Sequence, residues 1–145
     1  MTELETSRIA GLDDPRRVDC FPFAETIDIS AAGVAPDEPS PCLPSATAVW
    51  YLFEPLRPGM LSVDLVGSTP HDAVLRLYTC SRAGRDRLGF IGCASPVWNG
   101  QLSLEAWVGG DRALLAQVGT SKSKVGWIVV RAELRPLAER SPYTG

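Results

Sequence analysis

From Thr47 onward the chain alternates apolar and polar positions with a period of two, the repeat of an extended strand. Trp50 and Leu52 fall on one face of the first such run, and Val49, Tyr51 and Phe53 on the other. In the next run Leu61, Val63 and Leu65 alternate with Ser62 and Asp64, which predicts a strand with one wet face. Ala73, Leu75 and Leu77 then oppose Val74, Arg76 and Tyr78. The polar stretch 81–87 predicts a turn, and a strand follows over 88–93. Three more strands are predicted at 102–106, 113–118 and 125–134, with turn signals at Asn99-Gly100, at Gly109-Gly110-Asp111 and over 119–124. Upstream, Ile27 and Ile29 mark a strand within 18–30. Residues 31–45 carry Pro36, Pro39, Pro41 and Pro44, which excludes regular helix and central strand alike. About eight short strands with no helical period predict an all-β fold, an antiparallel β-sandwich or jelly roll. Residues 1–17 and 135–145 lack the alternation and read as irregular N- and C-terminal arms, which leaves 18–134 as the domain.

Composition narrows the field. A chain of 145 residues with 45% hydrophobic and 21% charged residues suits one globular domain with a real core. A net charge of −3 and a pI near 5.1 provide no basic footprint for nucleic acid. No apolar segment is long enough to span a bilayer, so no membrane partner is expected. The first residues are polar and acidic, without the cationic and apolar regions of a secretory leader. Either a leader has been removed, or the protein leaves its cell without one, as a virus released by lysis does.

Four cysteines stand at 20, 42, 80 and 93, with no Cys-x-x-Cys spacing to suggest structural zinc. Cys80 and Cys93 close successive predicted strands, which suggests a cross-hairpin bridge and leaves Cys20 to pair with Cys42. The alternative is four buried thiols.

Catalytic chemistry finds little footing. The one histidine, His71, lies near Ser68 and Asp72, but no Gly-x-Ser-x-Gly elbow accompanies them, and it reads as a turn residue. Gly109-Gly110 has no phosphate-binding lysine after it, and no carboxylate pair stands out. No catalytic residue, cofactor or metal is expected. Arg82, Arg85 and Arg87 form a basic cluster in the predicted turn, to which Arg76 would add. They suit an acidic neighbour or an anionic polysaccharide, or they simply solubilise a hairpin tip. Trp98, in the loop 95–100, and Trp107 are candidates for sugar stacking or for an interface, against the alternative of folding back over the sandwich edge. Trp50 is expected to pack between the two sheets.

The ordered set Glu38-Pro39-Ser40-Pro41-Cys42, Trp50-Tyr51-Leu52-Phe53, Val63-Asp64, Gly67-Ser68 and Asp72 resembles the bacterial pre-peptidase C-terminal domain. That small non-catalytic module accompanies secreted proteases and other surface proteins, and related modules occur in bacteriophage tail and surface proteins. The likeness covers roughly 18–134 and is strongest over 38–78. Family members often continue with Cys-Asn-Asp-Asp where this chain has Cys93-Ala94-Ser95-Pro96, which removes oxygen ligands for calcium. Asp13, Asp14, Glu38 and Asp72 remain, with no spacing that fixes a site. The resemblance implies a β-sandwich without catalysis. Together with the arms and the leaderless start, it predicts a structural protein of a bacteriophage virion, decorating the capsid or serving as a minor tail protein. Its partners would be other virion subunits at the virion surface, or further copies of itself. The alternative is a carbohydrate- or cell-surface-binding accessory module of a secreted bacterial hydrolase, extracellular and in contact with surface polysaccharide.

Overall fold

The fold is seen in a computed structural model that describes residues 14–31, 41–82, 84–109 and 111–136. Nine strands run in chain order: β1 (Arg16–Val18), β2 (Phe23–Asp28), β3 (Thr47–Phe53), β4 (Gly59–Asp64), β5 (Ala73–Ser81), β6 (Gly84–Ala94), β7 (Ser103–Val108), β8 (Arg112–Thr120) and β9 (Trp127–Pro136). One turn of 3-10 helix, Ile29–Ala31, follows β2. Five strands form one sheet in the order β1-β3-β8-β5-β6, and four form the other in the order β2-β9-β4-β7. Every pairing is antiparallel except β1 with β3. The predicted all-β sandwich is therefore the fold, with one strand more than the alternation revealed. β1 takes Arg16 and Arg17 from the stretch read as an arm, and β9 takes Arg135 and Pro136 from the other. The rest of both arms, 1–13 and 137–145, lies outside the described residues, as do Asp13 and Glu38.

The inner faces behave as period-2 patterning requires. Val49, Tyr51 and Phe53 from β3, Leu75 and Leu77 from β5, and Leu114, Ala116 and Val118 from β8 meet Leu61, Val63, Ile128, Val130 and Ala132 of the opposing sheet in one core. Phe23 packs edge-on against both Tyr51 and Phe53. The Tyr51 hydroxyl donates to Glu25 Oε1 at 2.7 Å, while Arg16 holds the other oxygen of that carboxylate at 3.1 Å. An inward-facing acid at the sheet edge is satisfied in this way.

The five-stranded sheet departs from a simple sandwich because its outer face is also buried. Trp50 and Leu52 join Tyr78, Cys80, Ala113 and Leu115 in a second apolar cluster on that face. Trp50 thus lies outside the sheet pair, not between the sheets as its size had suggested. β3 is buried at all seven positions.

The segment at 41–46 is drawn against this face by two fasteners that start from one cross-strand pair. Arg76 on β5 sits opposite Cys93 on β6. Cys93 forms a disulfide with Cys42. The Arg76 guanidinium donates to the Pro41 carbonyl at 2.8 Å and the Leu43 carbonyl at 2.6 Å, with longer contacts to Pro44 and to Gln117 Oε1, both at 3.4 Å. Arg76 is wholly buried, and burial pushes its pKa down. It cannot serve the exposed basic cluster to which its position had assigned it.

The expected cysteine pairs are not formed. The hairpin is tighter than its polar composition predicts, with β5 running to Ser81 and β6 starting at Gly84. Arg85 and Arg87 are consequently strand positions, on an edge strand where charged residues are tolerated. Their side chains lie outside the described residues. With two register shifts in the ladder, Cys93 falls opposite Arg76, four residues along β5 from Cys80. Four strand residues span roughly 13 Å, about twice the Cα separation that a disulfide bridges. Cys80 is a buried thiol in the outer cluster. Cys20 is exposed and unbridged, in the connection from β1 to β2 at the far end of the sandwich from the Thr47 end of β3. Beside it, the Asp19 carboxylate pushes the Cys20 thiol pKa up.

Candidate functional site at one rim of the sandwich

Strand directions sort the connections into two ends. At one end lie 29–31 with 41–46, 65–72, 95–102 and 121–126, and at the other 19–22, 54–58, the Ser81 and Gly84 ends of β5 and β6, and residues 109 and 111. The first rim holds five of the nine large apolar side chains exposed among the described residues: Val66, Val97, Trp98, Val125 and Trp127. They are between 47% and 72% exposed, so they are presented to solvent and not folded into the core. Lys122 and Lys124, the only lysines of the chain, share this end.

The rim is held rigid from beneath. Asp72 accepts from the Lys122 and Ser123 backbone amides at 2.7 and 2.8 Å and from the Ser123 hydroxyl at 2.7 Å, fixing the start of the 121–126 loop. Thr69 exchanges two hydrogen bonds with the Trp127 backbone, its amide donating to the carbonyl and its hydroxyl accepting from the amide, both at 2.9 Å. Ser68 Oγ accepts from the Val129 amide. Gly126 sits at φ +136°, and a Cβ there would lie 2.7 Å from the Pro70 ring, so the two loops meet only through glycine. The 95–100 loop turns about the Ser95 carbonyl, which accepts from the amides of Trp98, Asn99 and Gly100. The Asn99 side chain closes it by bonding the Ser95 and Gln101 amides and the Cys93 carbonyl. Trp98 projects from this fixed turn.

Burial alone would push the Asp72 carboxyl up, but the Ser123 hydroxyl and the Ser123 and Lys122 amides outweigh it and hold the pKa down at about 2. A depressed folded-state pKa contributes stability above the unfolded value near 3.9, lost as the pH falls through about 2. Asp72 is buried beneath the loop, and Asp72→Asn is expected to lower stability at neutral pH by about 1–2 kcal/mol. Denaturation at pH 7 and at pH 2 checks this: the two proteins should differ clearly at the first and much less at the second.

The remaining sequence candidates scatter. Trp107 is half exposed on the outer face of β7, opposite Met60 and remote from the rim. Arg82 lies at the opposite end, where its guanidinium donates to the Pro55 carbonyl and its amide to the Asp111 carbonyl. It is engaged in its own fold instead of being offered to a partner. Ser68 and Asp72 spend their oxygens on the loops beside them, while His71 is exposed, so the three form no triad. No group of three His, Cys, Asp or Glu residues placed to hold a metal occurs among the described residues. Val66, Val97, Val125 and Trp127 went unnoticed in the sequence because they sit in three separate connections and at the start of β9. The signal was present, since each is a large apolar residue in or beside a turn otherwise built of Gly, Ser, Thr, Pro and Asn. No protein-family model matches this chain, and no curated protein matches it.

Proposed function

We propose that this chain is a non-catalytic structural protein of a bacteriophage particle, a capsid decoration or minor tail subunit, seated on the particle through the apolar rim. The observation that carries the reading is the placement of five exposed apolar side chains at one end of the sandwich, on loops and a strand start tied together by hydrogen bonds. Aromatic anchors on a preorganised surface bury large area with little ordering entropy, which suits a permanent subunit contact. The motif order resembling modules of phage tail and surface proteins supports the same reading. The disulfide and the Arg76 clamp fit a rigid particle component. An accessory module of a secreted hydrolase, the alternative, would draw on a different surface, the outer face of the four-stranded sheet.

Co-sedimentation with particles stripped of this protein tests the proposal. The wild-type chain should pellet with the particles in high salt. Replacing Trp98 and Trp127 together by alanine should weaken binding at least about thirtyfold, since each central aromatic anchor contributes on the order of 2 kcal/mol. Undiminished binding by that double variant would remove the rim from the interface. A wild-type chain that never pellets would overturn the particle assignment itself. Deleting residues 1–13, which spares β1, measures what the N-terminal arm adds.

A further inference from the structure

The outer face of the four-stranded sheet holds a cleft of about 410 Å³ that the rim does not use. Register builds it. Ser62 on β4 pairs with Glu133 of β9 on one side and Glu105 of β7 on the other, so the three outward side chains form one row. The adjacent row is Arg135, Met60 and Trp107. Neighbouring strands lie about 4.8 Å apart, which sets the two glutamates roughly 10 Å apart across the serine. Phe21, Pro22 and Pro136 wall the cleft at the end of the sheet, beside Met60 and Arg135.

We propose that this cleft binds a glycan chain of neutral or amino-sugar units. Its volume falls in the range of small-molecule sites, and its lining combines an apolar side, with Phe21, Pro22 and Met60, and the polar groups of Glu105, Glu133 and Arg135. A pyranose ring is amphipathic in the same way. Its C–H face would lie on Met60, Pro22 and the Phe21 ring, its hydroxyls would donate to Glu105 and Glu133, and Arg135 would donate to a ring or hydroxyl oxygen. Two carboxylates against one guanidinium favour neutral or cationic sugars and repel uronates, sulfated glycans and phosphate backbones. The same charges disfavour an anionic lipid surface. An added peptide strand would align with a sheet edge, whereas this cleft crosses β9, β4 and β7.

Calorimetric titration of the full chain with chitotetraose, cellotetraose, a glucosamine tetramer and tetragalacturonate tests the proposal. At least one of the first three should bind, and tetragalacturonate should not. Met60→Ala and Glu133→Gln should each weaken that binding tenfold or more, with near-UV circular dichroism confirming an intact fold. Trp98→Ala, at the other surface, should leave it unchanged, so failure here and failure of rim docking are separately visible. Absence of heat with all three neutral or amino tetramers would overturn the proposal. So would binding that survives both cleft substitutions, or a preference for tetragalacturonate.

Discussion

Replacing Arg76 by alanine in the oxidised protein is expected to lower its stability by about 3–5 kcal/mol, because it loses two close hydrogen bonds from a charged donor at about 1.5–3 kcal/mol each. Arg76 has no exposed surface, and its donors reach three backbone carbonyls in the 41–46 segment and one side-chain amide. Truncation leaves those part-buried acceptors without their donor, at a penalty of about 1–3 kcal/mol each unless water enters. The disulfide at Cys42 prevents the segment from swinging out to find water instead. Lysine is a weak substitute, because one ammonium cannot reproduce the planar fork that spans Pro41 and Leu43. Arg76→Lys should therefore recover less than half of the loss. Urea denaturation monitored by tryptophan fluorescence gives both values; a loss below 1 kcal/mol for Arg76→Ala would show that the segment relaxes freely.

That clamp also shows where sequence legibility ended. Strand positions, faces and fold class were readable because period-2 burial leaves its mark on residue identity, clearest in Leu61-Ser62-Val63-Asp64 with its one solvated face. On β3 the alternation put Trp50 and Leu52 on one face, but an apolar string looks the same whether its second face is covered by a sheet or by a loop. What draws the 41–46 segment over this sheet is bonded largely through backbone carbonyls, and those carry no residue signature. An arginine between Leu75 and Leu77 accordingly reads as solvent-facing when it is the anchor of that segment. The cysteines failed for a related reason: a hairpin suggests that Cys80 and Cys93 meet, yet a tight turn and two register shifts, invisible in composition, decide which residues stand opposite. The rim depends on chain connectivity at still longer range. Val66, Trp98 and Trp127 come to one end only because three inter-sheet connections begin and finish there.

Reduction of Cys42–Cys93, or a Cys42→Ser and Cys93→Ser double variant, is expected to destabilise the fold by about 4 kcal/mol and to lower Tm by roughly 10 °C. The bridge joins positions 51 residues apart, and the chain-entropy relation for a loop of that length yields the figure. The loss should couple to that of Arg76, because both fasteners hold the same segment from one cross-strand pair. With the bridge intact, Arg76→Ala strands the carbonyls of Pro41 and Leu43 against the sheet. With it opened, the segment is free to move out and hydrate them, so the arginine deletion becomes milder. A double-mutant cycle should then give a combined loss smaller than the sum, by about 1–2 kcal/mol, as expected of groups sharing a partner. Additivity within experimental error would mean that the segment stays docked without the disulfide, leaving Arg76 as sufficient to hold it. A combined loss larger than the sum would mean that each fastener compensates for the other, and that the segment leaves the sheet only when both are gone.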